Sequence, residues 1–179
     1  SGERGSNEKQ NAMIRRWIAC FVMAVVAAVA CTTIDDNRTP SYQVHIKLNS
    51  VGLWDTYGVH GMGDYRVFSA RKKLPSNFHF TANTYTGFAG VLLLIGYDFT
   101  TQTYNSPVAY EIACPVECRY DVTVDYNPET FEAVCPKCGS HFNVLEGGGA
   151  AVSGLAYDRH YGLTRYRVTP DNGGYIVSN

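Results

Sequence analysis

Four cysteines set the tightest constraint on what this chain can fold into. They form two close pairs, Cys114 with Cys118 and Cys135 with Cys138, and 16 residues separate the pairs. Two short loops of this kind can each aim two sulfur atoms inward, as a tetrahedral metal site requires. The spacing therefore predicts one metal site made by all four cysteines.

The sequence between the two pairs predicts the hairpin that such a site needs. Residues 121–126 and 131–134 have strand-forming composition, and Asn-Pro-Glu-Thr at 127–130 is a good turn. Gly139 can adopt a positive φ, which would direct backbone amides towards a sulfur. We expect the two cysteine loops to lie at the two ends of one hairpin.

Residues 13–30 predict an address in the cell envelope. Two arginines precede the apolar stretch 17–30, whose 14 residues are too few to span a membrane but suit a signal peptide. The sequence Ala-Ala-Val-Ala-Cys ending at Cys31 resembles a bacterial lipoprotein box, which implies a lipid on Cys31 that anchors the protein to a membrane. Thr32 follows, and by the same resemblance this favours the outer membrane, facing the periplasm or the surface. A short membrane anchor or a buried helix is the alternative.

These signals divide the chain. Residues 1–12 are expected to be a non-native or misannotated leader, 13–30 the signal peptide and 31–41 a polar tether. The folded domain is expected over 42–179, with a metal-binding subdomain at about 110–150. The formal net charge of -1 and the 17% of charged residues argue against a nucleic-acid partner.

Short strand patterns dominate the domain and predict an all-β antiparallel sandwich or barrel. No amphipathic helix stands out beyond the signal, and the aromatic-rich stretch 56–83 predicts a long connection without regular structure. The predicted strands are residues 42–48, 90–97, 108–113, 121–126, 131–134, 142–145, 163–168 and 174–177.

The motifs around the cysteines resemble the Rieske iron-sulfur domain. Ala-Cys-Pro-Val-Glu-Cys at 113–118 and Cys-Pro-Lys-Cys-Gly-Ser-His-Phe at 135–142 correspond to its two loops, and Leu-Thr-Arg-Tyr-Arg-Val at 163–168 to its closing strand. The resemblance covers about residues 86–179 by motif. It implies a Rieske-like β-domain with a small subdomain like that of rubredoxin or a zinc ribbon.

Two departures from the Rieske pattern change the expected centre. The family's histidine ligands would fall on Val116 and Cys138, and valine cannot bind a metal. Cys118 lies two residues beyond the vacant position at Val116 and is the candidate fourth ligand. The disulfide that links the two loops in many Rieske proteins would need a partner near Lys137, and none is there. Four thiolates suit Zn or a single Fe ion, with an all-cysteine [2Fe-2S] cluster as the alternative.

The sequence leaves several functions open. The first is a lipid-anchored metal protein with a structural or electron-transfer role and a redox protein as partner. Such a protein would be a carrier at most, because the chain has no room for a catalytic oxygenase domain. The second is a lipid-anchored binding module that presents the aromatic loop 56–88, with disulfides or structural zinc holding the fold. Thiol-disulfide exchange at Cys135 and Cys138 is a third, although the βαβ context of that motif is missing.

Overall fold

The computed structural model describes residues 33–179, of which Ile34–Asn179 form one compact unit. The predicted signal peptide and the predicted lipidation site Cys31 lie outside the described residues. Two short helices, α1 (Val51–Tyr57) and α2 (Leu155–Asp158), accompany the strands. The strands are β1 (Val44–Leu48), β2 (Tyr65–Phe68), β3 (Tyr85–Thr86), β4 (Val91–Asp98), β5 (Thr103–Glu111), β6 (Asp125–Asn127), β7 (Glu132–Val134), β8 (His141–Asn143), β9 (Ala150–Ser153), β10 (Arg165–Asp171) and β11 (Gly174–Ser178).

Seven strands form a nearly closed, barrel-like antiparallel sheet in the order β2-β4-β5-β10-β11-β1-β3. Strand β4 lies between two hydrophobic clusters, since Leu92 and Leu94 pack into one while Leu93 and Ile95 pack into the other. Successive side chains of a strand point to opposite faces. A strand that is buried on both faces therefore needs the continuous apolar run that begins at Val91.

The remaining four strands form a small sheet in the order β6-β7-β8-β9. Each has only three or four residues, and β7 and β8 flank the second cysteine pair. Its buried residues Ala133 and Phe142 belong to the same hydrophobic cluster as Leu92 of the large sheet. This shared core fixes the cysteine-bearing sheet against the barrel.

The ladder between β5 and β10 is short. Only two residue pairs join these strands, and the last of them is Tyr166 with Ala109. Continuing this register would place Val168 opposite Pro107, which has no N–H to donate. The strands separate beyond this point, and an open cleft of about 800 Å³ lies along them.

An ion pair secures the side of this cleft. Arg165 Nη2 lies 2.7 Å from Asp98 Oδ1, and both side chains are largely buried. Burial by itself would raise the pKa of Asp98, but hydrogen bonds from the Thr100 N–H and the Thr101 hydroxyl and the charge of Arg165 lower the pKa below its ordinary value. Asp98 therefore contributes to stability in its ionised form.

The part of the expected tether that the structure describes, residues 33–41, contacts the domain. Asp35 forms a parallel bridge with Tyr161. Thr39 is buried, and its hydroxyl lies 2.9 Å from that of Thr164. In the described part of the chain, no helix is long and apolar enough to cross a membrane.

The predicted all-β class is confirmed, and so is the small subdomain beside the main sheet. The connection expected over 56–83 contains some regular structure that the sequence did not indicate. That region includes the end of α1 and the edge strand β2. Helix α1 starts at the capping residue Ser50, whose hydroxyl accepts a hydrogen bond from the Leu53 N–H, and none of its residues is buried. Trp54 and Tyr57 are half-buried and pack against the core, but two positions in a seven-residue helix make too short an apolar stripe to predict it from the sequence.

Candidate metal centre

Two tight turns carry the cysteines. The first cysteine loop is residues 114–118, in which the Cys118 N–H donates to the Cys114 carbonyl at 2.9 Å. The second is residues 135–139, in which the Gly139 N–H donates to the Cys135 carbonyl at 2.9 Å. Gly139 has φ +65°, as expected for a turn that reverses the chain directly after a cysteine.

The chain between the loops forms the predicted hairpin. Strands β6 and β7 pair antiparallel, with Asp125 opposite Val134, one residue before Cys135. The first loop joins the other end, because the Cys114 N–H donates to the Val122 carbonyl at 3.0 Å and Ala113 bridges Thr123. Backbone pairing thus brings the two loops together.

Three of the four predicted ligands form a sulfur cluster. The Sγ atoms of Cys114, Cys135 and Cys138 all lie within 4.8 Å of one another, and those of Cys114 and Cys138 are 3.6 Å apart. A tetrahedral ion with metal–sulfur bonds of about 2.3 Å holds its sulfur ligands about 3.8 Å apart. The three cysteines therefore fit the chemistry and the spacing of a bound metal ion.

The fourth predicted ligand, Cys118, is in the first loop but outside this cluster. Its Sγ lies 3.1 Å from the carbonyl oxygen of Pro115 and 3.4 Å from that of Arg38. Its φ of +48° is uncommon for a residue other than glycine. The structure thus brings together three of the predicted ligands and places the fourth within one turn of Cys114.

No disulfide joins the cysteines in the described part of the chain, where Cys114, Cys118, Cys135 and Cys138 are all free. Cys114 and Cys135 are buried, and Cys138 is half-buried. Buried free thiols in a tight cluster favour metal binding over the disulfide alternative.

The environment differs between the sulfurs. Burial raises the pKa of Cys114 far above its ordinary value, because a thiolate there loses its hydration. Burial opposes ionisation at Cys138 as well, but hydrogen bonds from the hydroxyl and backbone N–H of Ser140 outweigh it and lower the pKa of Cys138. Cys138 therefore ionises more readily than Cys114, and a metal cation would be needed to hold Cys114 as a thiolate.

Ser140 is a site residue that the cysteine spacing does not predict. It is fully buried, its Oγ lies 3.2 Å from Cys138 Sγ, and it accepts a hydrogen bond from the Ala156 N–H at 3.0 Å. The one sequence signal for this role is a small hydroxyl residue two positions after a predicted ligand cysteine. The two contacts of Ser140 orient the second loop against helix α2.

No known protein family and no curated protein matches this chain. The fold and the site together define an all-β protein with a cluster of three cysteines that can hold a metal ion.

Proposed function

We propose that this protein is an envelope lipoprotein whose β-domain binds one metal ion, Zn or Fe, through Cys114, Cys118, Cys135 and Cys138. The observation that carries the proposal is the group of three sulfur atoms within 4.8 Å of one another. Bound zinc would only cross-link the loops, whereas bound iron would also supply one-electron redox chemistry.

A single ion is favoured over a [2Fe-2S] cluster by the spacing of the sulfurs. In a cluster, two irons and their bridging sulfides separate the ligands of one iron from those of the other. At least one of any three cysteine ligands must then stand well apart from the other two. Cys114, Cys135 and Cys138 do not show this separation.

Cys118 is proposed as the fourth ligand because its position in the loop suits that role. The hydrogen bond from its N–H to the Cys114 carbonyl keeps the two residues in one turn. Rotation of the side chain away from the carbonyls of Pro115 and Arg38 changes the direction of Sγ without moving the backbone. Structural zinc and rubredoxin-type iron sites take four protein ligands.

The envelope location rests on the sequence alone. The lipoprotein-type ending at Cys31 supports a lipid anchor, most simply in the outer membrane. The Rieske resemblance is a proposal on the same footing, since it rests on the loop motifs around Cys114 and Cys135. A redox protein partner is proposed only if the bound ion is iron, because zinc carries no redox chemistry.

The alternative of a binding module presenting the aromatic loop has less support. Phe78, in the middle of that loop, packs edge-to-face against Tyr57, Phe68 and Phe80 at ring distances of 5.0 to 5.2 Å. These rings contact one another and the core rather than forming a platform for a ligand.

Elemental analysis of natively expressed protein, with its visible spectrum and a count of free thiols, tests the proposal. We expect one zinc without colour, or one iron with charge-transfer bands, per chain. Cys118→Ser is expected to weaken metal retention, whereas Ser140→Ala, which removes a hydroxyl beside Cys138 but no thiolate, should weaken it less. Metal-free protein with no reactive thiols would contradict the proposal.

A further inference from the structure

The two cysteine loops are joined by one ion pair. Glu117 stands directly before Cys118 in the first loop, and Lys137 directly before Cys138 in the second. Lys137 Nζ lies 2.5 Å from Glu117 Oε2, although 20 positions separate the two residues in the chain. The ion pair is thus placed at matching points of the two loops.

Few direct hydrogen bonds join the residues of one loop to those of the other. Among the described residues, each loop makes backbone hydrogen bonds within itself or to its own flanking strands, and none runs from residues 114–118 to residues 135–139. In the described part of the chain, the other side-chain contacts of this type between the loops involve only the clustered sulfurs, such as Cys114 Sγ with Cys138 Sγ at 3.6 Å. When these sulfurs are ionised they repel each other, so that contact alone does not hold the loops in place.

The Glu117–Lys137 ion pair differs from its neighbour in exposure and in the parts of the chain that it joins. Lys137 is 51% exposed, but Glu117 is only 19% exposed, so the carboxylate is held in a fixed place that the longer lysine side chain reaches. The neighbouring ion pair of Arg119 with Asp121 is more exposed and lies within one stretch of chain, two residues apart. It has similar chemistry, but its hydrogen bonds stay within residues 119–121 and do not join the two loops.

We propose that Glu117 and Lys137 are positioning residues that hold the two cysteine loops in register for metal binding. The inference rests on the proposed function, since it assigns these residues to the same metal site. The ion pair fixes the distance between Cys114 and Cys138 before the metal arrives, and it slows separation of the loops when the metal leaves. An exposed ion pair contributes modestly, so its loss should change these rates by about two- to fivefold.

The first test measures metal release to a chromophoric chelator from the loaded full chain. Glu117→Gln and Lys137→Met are each expected to speed release about two- to fivefold at low salt, with a smaller difference in 1 M salt because of screening. Combining Glu117→Lys with Lys137→Glu restores the pair in reverse and should bring the rate back to within about twofold of the parent. Arg119→Gln is the matched control and should release metal at the parent rate.

The second test needs no metal and separates this inference from the proposed function. In reduced, metal-free protein, diamide oxidises two neighbouring thiols to a disulfide and is itself reduced to the hydrazine. Formation of the Cys114–Cys138 disulfide, followed by peptide mapping, is expected to slow about two- to fivefold in Lys137→Met but not in Arg119→Gln. Equal disulfide rates in these two variants would overturn the inference. If the natively expressed parent is found to carry no metal but the disulfide rates still differ in this way, the proposed function fails and the inference about the ion pair stands.

Discussion

Glu111 is the buried charge on which the start of the first cysteine loop depends, and its replacement by glutamine is the sharpest test of the fold. The side chain is 1% exposed, and every one of its polar contacts is a donor. Oε1 accepts the N–H groups of Ala89, Gly90 and Ala113 at 3.0 to 3.2 Å, and Oε2 accepts the Phe88 N–H at 2.8 Å and the Tyr166 hydroxyl at 2.7 Å. An ionised carboxylate only accepts hydrogen bonds, and its two oxygens together can accept from several donors, so it suits this group of five.

The cost of Glu111→Gln follows from this arrangement. The amide oxygen can keep the three contacts of Oε1, but the amide NH₂ then faces the Phe88 N–H, which cannot turn away. The Tyr166 hydroxyl can rotate and accept instead. One buried N–H left without an acceptor and one lost charged hydrogen bond together cost about 2–4 kcal/mol of unfolding free energy.

Urea unfolding in the presence of a chelator, followed by tryptophan fluorescence, measures this cost apart from any metal effect. Glu129→Gln makes the same chemical change at an exposed turn and should stay within about 0.5 kcal/mol of the parent. Tyr166→Phe removes one donor from the same carboxylate, so its effect should not add fully to that of Glu111→Gln. If Glu111→Gln is no more destabilising than Glu129→Gln, the fold does not depend on a carboxylate at position 111.

Three further substitutions test the metal site, the ion pair beside the cleft and a glycine with positive φ. Cys138→Ser should reduce the metal content to below about a tenth of the parent's by elemental analysis, because it removes a ligand from the three-sulfur cluster; full retention would exclude Cys138 as a ligand. The lowered pKa of Asp98 means that its contribution to stability is complete at neutral pH and is lost as the pH falls below the ordinary value of 3.8 and through the folded-state pKa. Asp98→Asn should therefore lower the free energy of unfolding at pH 7 by under about 1 kcal/mol. In urea titrations the unfolding free energy of this variant should fall less than the parent's as the pH is lowered, and an unchanged pH profile would contradict this. Gly149→Ala should cost about 1–3 kcal/mol in the same unfolding assay, since φ is +87° and the added Cβ would lie 3.0 Å from both the Leu163 carbonyl oxygen and the Tyr110 ring; parental stability would show that the loop relaxes.

Much of the β-structure was predictable because its strongest signals are local. The apolar run from Val91 is long enough to mark a strand buried on both faces. The Asn172-Gly173 turn, with φ of +46° and +82°, explains the closing hairpin of β10 and β11. The edge strands β2 and β3 were missed, because short edge strands are partly exposed and show no clean alternation.

The site was predictable only in outline. Spacing brings sulfurs into two loops, but it does not fix the side-chain rotamer that turns Cys118 towards Arg38, a residue 80 positions earlier in the chain. The burial of Glu111 and Ser140 is likewise set by tertiary contacts that no local pattern contains. Sequence spacing therefore predicted the ligands' chemistry, and the fold determined which three of them meet.

X-ray absorption at the metal edge of natively loaded protein distinguishes a single sulfur-bound ion from every alternative. We expect one ion per chain, surrounded by sulfur at about 2.3 Å, with no second metal in its neighbourhood. A metal–metal scattering path would instead establish a cluster. An ion bound only by nitrogen or oxygen would show that the three neighbouring sulfurs are not the metal site.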